Sequence, residues 1–206
     1  MSRWVLAMHS STPVLGVAVV DLDAPETSRL VLTRPAGREL TNGLPGAVQE
    51  ALPASQWPSI VRLAVATGPG GFTGTRLTVV MARTLAQQLG CPLDGVSSFA
   101  LMAPRLVNQA RLEDVSAPFW ILQALPRRGQ VGGLYRIDHN QDVVELTQPH
   151  LLKDDASVTP ALTMVEDVAM DVERLLDLCC AAHHRQLPAP WSTVLPIYPT
   201  SPVGEV

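Results

Sequence analysis

The chain has 206 residues, 47% hydrophobic and 17% charged, with 15 Lys and Arg against 19 Asp and Glu, for a net charge of −4. That length suits one large domain or two small lobes around a substantial core, and the composition excludes disorder of the charged, apolar-poor kind. The acidic balance argues against a protein that grips RNA unaided, because neutralising a phosphate backbone takes clustered cations.

Residues 4–8, 14–21 and 29–32 read as successive strands, the first two joined by a polar turn. A helix follows over 40–52, with Gly43 and Pro45 inside it, and then a strand over 63–67. The glycine-rich turn Gly68-Pro69-Gly70-Gly71-Phe72-Thr73-Gly74 leads into a helix opening at Thr75. Leu77, Met81, Leu85 and Leu89 recur every four residues and are expected to face the sheet, with Gly90 as C-cap. A strand over 93–96 passes through the N-cap candidates Ser97-Ser98 into a helix over 99–108. Three strands, then strands alternating with helices, imply a layered α/β lobe, here residues 1–102.

The second half reads as strands over 119–124, 132–138 and 143–147. Turns at Arg127-Arg128-Gly129 and His139-Asn140-Gln141-Asp142 separate them. A helix over 164–184 ends at Leu187-Pro188-Ala189-Pro190, and the proline-rich end, through Ser201-Pro202, reads as an extended tail. Residues 103–206 thus form a smaller second lobe, with the seam near 103–117. No internal repeat is visible in the sequence.

The apolar run after Arg3 stops at His9-Ser10-Ser11-Thr12-Pro13, too short for a signal peptide, and no stretch approaches a membrane span. The three cysteines, Cys91, Cys179 and Cys180, form no Cys-x-x-Cys pair, so the expected location is cytoplasmic. No two histidines stand four residues apart, and the adjacent His183 and His184 point about 100° apart on a helix, unable to share a metal. Asp154-Asp155 and Glu166-Asp167 read as solvated surface acids.

A strand, a glycine turn and a helix N-terminus gather unpaired N–H groups that suit an anion; the other reading is a close-packed turn in which glycines only allow unusual backbone angles. A P-loop is excluded: Thr75 follows Gly74, and Lys153 is the chain's only lysine. A dinucleotide fingerprint would need a glycine at Thr73, and the nearest acid, Asp94, falls inside a strand.

With Arg76 closing it, the segment Gly68 to Arg76 resembles the Gly-Pro-Gly-Ser-Phe-Thr-Gly-Leu-Arg signature of the TsaB (YeaZ) family. Ala82-Arg83-Thr84-Leu85-Ala86, Pro92-Leu93-Asp94-Gly95-Val96-Ser97-Ser98 and Val5-Leu6-Ala7-Met8-His9-Ser10-Ser11-Thr12-Pro13 are similar to its flanking elements. The resemblance covers about the first half of the chain and fades afterwards. It implies an α/β fold of the actin-like and sugar-kinase-like (ASKHA) type, two lobes of mixed sheets flanked by helices, the second lobe reduced. It also implies a non-catalytic subunit of tRNA N6-threonylcarbamoyladenosine synthesis, without cofactor or metal. The implied partners are a catalytic threonylcarbamoyltransferase (TsaD-like) and an ATPase subunit (TsaE-like), with tRNA reached only through the complex; a homodimer in isolation is compatible with it.

Active members of that fold place an aspartate in the first strand-turn, where this chain has His9, a poor substitute for a carboxylate toward Mg²⁺. The family's Asp-Ala-Arg-Arg/Lys-Gly-Glu-Val-Tyr stretch is here Leu125-Pro126-Arg127-Arg128-Gly129-Gln130-Val131-Gly132, which has lost the aspartate, glutamate and tyrosine. Because first-lobe helices form the family's main contact, Arg76, Val80, Arg83, Thr84 and Gln87 are the candidate partner face. Two other readings stay open: an active small-molecule kinase or hydrolase of the same fold, and a Rossmann-like nucleotide-binding protein.

Overall fold

The computed structural model describes residues 2–35, 40–112, 114–126, 128–153 and 157–199. Arg127, Asp154, Asp155 and the tail residues Ser201 and Pro202, named above, lie outside them. Strands β1 (Trp4–His9) and β2 (Val14–Asp21) form an antiparallel hairpin pairing Trp4 with Asp21 and His9 with Gly16. Both strands are nearly continuous apolar runs, as expected of strands covered on both faces. After the short helix α1 (Pro25–Ser28), the exposed strand β3 (Leu30–Pro35) pairs antiparallel with β2. Helix α2 (Leu40–Ala51), strand β4 (Ile60–Ala66), helix α3 (Phe72–Leu89) and strand β5 (Leu93–Val96) complete the first sheet. β4 and β5 run parallel to β1, giving the order β3-β2-β1-β4-β5.

Helix α4 (Ser98–Ala110) leads to β6 (Phe119–Leu125), β7 (Gly129–Ile137), β8 (Val143–Leu151) and β9 (Ala161–Thr163). Their order is β8-β7-β6-β9, with β6 antiparallel to β7 and parallel to β9. This repeats the first four positions of the first sheet, a kinship of lobes that leaves no trace in the sequence. Helix α5 (Val168–His184) then returns to the first sheet, where Val172, Leu175, Leu176 and Cys179 bury against Val5, Ala7, Ala18 and Ala64. Leu6, Met8, Val17 and Leu63 point the other way, into a core closed by α2 and α3. A seam drawn after residue 102 therefore runs inside α4, and α5 serves the first sheet although it lies in the second half.

Several local readings change. α3 begins at Phe72, before Thr75, and its innermost face is Thr75, Thr78, Val79, Ala82 and Ala86. The Leu77–Met81–Leu85–Leu89 stripe flanks that face, only partly buried. Small side chains win the inward position because they let the helix sit close to the sheet. Ser97 occupies the N-cap position of α4 without a side-chain cap bond; its hydroxyl instead pairs with the Tyr135 hydroxyl at 3.1 Å. The helix expected from residue 164 starts at Val168, capped by the Asp167 carboxylate accepting from the Met170 N–H at 3.1 Å, because β9 takes up residues just before it. Gly90 adopts φ 64 at the end of α3, the left-handed C-cap expected of it.

The extended end of the chain folds back as a strap. The Leu93 N–H donates to Ala189 O at 2.9 Å, and the Ile197 N–H to Thr67 O at 2.7 Å. It is anchored by Arg62 of β4, only 2% exposed, whose Nε and Nη2 reach Asp94 of β5 at 2.6 and 2.8 Å and whose Nη1 donates to Leu187 O at 2.9 Å. Removing one partner of such a pair strands a buried charge. Asp94→Ala is therefore expected to lower the unfolding free energy in urea by about 3–5 kcal/mol. A loss under about 1 kcal/mol would show that the pair behaves as an exposed one.

Candidate functional site

The glycine loop and the turn between β1 and β2 meet at the carboxyl ends of β1 and β4. Gly68 and Gly70 have φ of 97° and 157°, letting the chain turn from β4 into α3. A Cβ on Gly70 would lie 2.0 Å from the Ser11 carbonyl oxygen, and one on Gly74 would lie 2.4 Å from that of Ser10. Of the two glycines expected to have restricted backbone angles, Gly70 has a positive φ, while Gly74 sits in α3 and is required by space alone.

The contact is polar as well as close. The Gly71 N–H donates to Ser11 O at 2.7 Å, and the Ser98 N–H to Gly68 O at 2.7 Å. Ser10 Oγ donates to Gly74 O at 2.9 Å and is hydrogen-bonded to Thr78 Oγ1, while Ser98 Oγ donates to Ser11 Oγ at 3.0 Å. An anion approaching this loop would find the Gly71 amide already taken by a backbone carbonyl. Pro69 and Gly71 complete the loop, Phe72 and Thr73 open the first turn of α3, and Arg76 is exposed just beyond them.

His9, at the end of β1, is fully buried, and neither ring nitrogen has a hydrogen-bond partner among the described residues. Burial, reinforced by the Arg105 charge, lowers its pKa to about 4, so the ring is neutral at pH 7. Arg105 is itself held by Asp171 of α5 through two 3.0 Å bonds, Nε to Oδ1 and Nη2 to Oδ2. The carboxylate that faces Arg105 is thus already paired. Sequence reading missed this pair, since 66 residues separate its members and nothing local marks either. Among the described residues, no three His, Cys, Asp or Glu side chains are grouped to hold a metal ion.

The candidate partner face is split. Val80 is 52% exposed, and Arg76, Thr84 and Gln87 are exposed beside it. Arg83 is half-buried, its guanidinium 5.9 Å from the centre of the Trp191 ring of the strap. Phe72 and Tyr198 pair nearby with ring centroids 4.7 Å apart.

Two lobes that repeat one sheet order, with a strand-turn and a glycine loop facing each other at the strand ends, define a protein of the actin-like and sugar-kinase-like class. Within that class, a family model described as TsaD, tRNA N6-adenosine threonylcarbamoyltransferase, matches residues 31–144, and the chain belongs to this family, on its TsaB (YeaZ) branch. The tRNA threonylcarbamoyladenosine biosynthesis protein TsaB of Bacillus subtilis is 32% identical over 141 residues, 64% of this chain and 55% of that protein. The chain thus matches little more than half the length of that relative. Two Pseudomonas aeruginosa structures share the fold. One, described as similar to the peptidase YeaZ, is 19% identical, covers 96% of this chain and 100% of its own, and has a TM-score of 0.73. The other, YeaZ, is 19% identical, with 95% and 99% coverage and a TM-score of 0.70.

Two measurements follow from this geometry. Gly70→Ala and Gly74→Ala should each destabilise the protein by more than about 1 kcal/mol in chemical unfolding, since each new Cβ meets backbone that cannot swing aside. Unchanged stability in both would show that the turn yields freely. For His9, the unfolded chain (pKa 6.5) takes up a proton before the folded one (about 4), so stability should be full above pH 6.5 and fall as pH drops toward 4. The loss is about 3 kcal/mol at most, and His9→Gln should remove that part of the slope.

Proposed function

We propose that this chain is a non-catalytic subunit that binds and supports the catalytic threonylcarbamoyltransferase in the synthesis of N6-threonylcarbamoyladenosine on tRNA. Family membership supports the pathway, and one observation carries the non-catalytic reading. The Ser11 carbonyl accepts from the Gly71 amide of the loop, and Ser11 fills the space beside Gly70, so the chain's own turn sits where the loop would face a phosphate. The buried, neutral His9 stands where active members carry a metal-handling acid, and the acid nearest to its charged neighbour is engaged by Arg105. A kinase or hydrolase of this fold would need that loop open.

In this reading the partners are a TsaD-like subunit and a TsaE-like ATPase, tRNA is met only through the assembly, and the work is cytoplasmic. No described helix is long and apolar enough to cross a membrane. The partner face is the exposed side of α3, namely Arg76, Val80, Thr84 and Gln87, with Arg83 contributing through the strap that rests on it. The division into lobes 1–102 and 103–206 describes the sheets each half supplies rather than independent folding units.

The deciding experiment is affinity capture from the native cytoplasm with partners identified by mass spectrometry, together with phosphate release from Mg²⁺-ATP by the chain alone. A homologue carrying a His-x-x-x-His pair should co-purify, and the isolated chain should not turn over ATP. Turnover at about 1 s⁻¹ or above that vanishes on altering the glycine loop would overturn the proposal. Val80→Glu probes the surface more cleanly than Arg83→Glu, because reversing Arg83 also unseats Trp191. It should weaken capture of the catalytic subunit about tenfold or more, through a charge forced into an apolar contact, without changing the circular dichroism.

A further inference from the structure

Arg174 of α5 is a cation that the fold does not account for. Its Nε is shielded from solvent and has no hydrogen-bond acceptor, and burial lowers its pKa although Asp142, Asp177 and Asp171 lie near enough to oppose this. Those acids are engaged elsewhere. Asp171 holds Arg105 at 3.0 Å, Asp177 and Glu173 hold Arg29 at 2.7 and 3.5 Å, and Asp142 is 3.9 Å from Arg185. Among the described residues, no carboxylate closes an ion pair with Arg174. The residue is half-buried, and its Nε–H is withdrawn from water without an acceptor, a donor that proteins seldom leave unsatisfied without reason.

The side chain borders a cavity of about 230 Å³ between the lobes. β5 supplies Val96, α4 supplies Ala100, β8 supplies Val143, and α5 supplies Leu178 and Ala181. The charged residues that line it are Arg174, Arg185 and Asp142, a net charge of +1 from two arginines and one aspartate.

We infer that this cavity binds a small organic carboxylate with a short aliphatic body, its carboxylate held by Arg174 and Arg185 and its chain lying against the alanine, valine and leucine side chains. The planar guanidinium fork matches a carboxylate in two parallel hydrogen bonds. The aliphatic walls favour an anion with an apolar part over a fully hydrated one such as phosphate, which would lose its water without compensation. Because the walls come from both lobes, such a ligand would also tie β8 to α5. The inference is independent of the proposed function.

Butyrate, inorganic phosphate and butylamine, titrated separately into the full chain, test it through ¹H–¹⁵N spectra. The Nε–H of Arg174, identified by its loss in Arg174→Met, and the amides of Val96 and Ala100 are the reporters. Butyrate should shift these signals saturably in the millimolar range, and butylamine should not. Arg174→Met should weaken the response at Val96 and Ala100 by about tenfold or more, since a charge-assisted contact is lost. Its ligand-free melting should be no lower than wild type, an unsatisfied shielded N–H having been removed. Arg185→Gln, at a position 63% exposed and so safe for folding, should weaken the response as well. The inference is overturned by the absence of a saturable butyrate shift, by phosphate binding as well as butyrate, or by an undiminished response in both variants.

Discussion

The fold is organised by the near-contact of two backbones, the Ser10–Ser11 turn and the Gly68–Gly74 loop. Without side chains at Gly70 and Gly74, the loop can approach the Ser10 and Ser11 carbonyls closely enough for the Gly71 amide to bond to Ser11. That approach fixes the position of α3, which starts at the loop, against β1, which ends at the turn. The Ser98 bonds to Gly68 and Ser11 extend the same joint to α4. β1 and α3 of the first lobe, and the helix that leads toward the second, are thus held at one point. A loop geometry that elsewhere would cradle an anion serves here as a mortise for the chain's own turn.

Buried ion pairs hold the returning C-terminal half in register. Arg62 and Asp94 join two parallel strands and take hold of the chain after α5 through Leu187. Arg105 and Asp171 join α4 to α5. Each is two-pronged, so each specifies an angle as well as a distance. The helix that would otherwise be free to slide over Ala7, Ala18 and Ala64 is fixed along its length by polar contacts at both ends.

β1, β2 and β4 were legible as nearly continuous apolar runs; β2 and β5 matched the expected bounds, and α2 nearly so. The glycine loop was legible as a motif, but its partner was not. No local signal says that Ser10 and Ser11, some 60 residues earlier, would fill it. The leucine period of α3 gave the helix and misassigned its inner face, since periodicity marks apolar residues while close approach selects Thr78, Ala82 and Ala86. β9 escaped notice because three residues with one buried side chain carry no period. The repetition of the sheet order in the second lobe is a property of pairing, which residue types alone do not record.

The strap has a consequence for the behaviour of the molecule in a crowded solution. β5 ends the first sheet, and a strand in that place would offer a row of free amides and carbonyls to any other chain. Here the backbone of Ala189 accepts from Leu93, and Val194 sits where a Cβ on Gly95 would collide with it, so the strap covers part of the edge that β5 would otherwise present. The strap thus guards one edge of the first sheet, and the opposite edge, β3, is left to its polar and charged residues Thr33 and Arg34 and to Pro35, which cannot donate to a further strand.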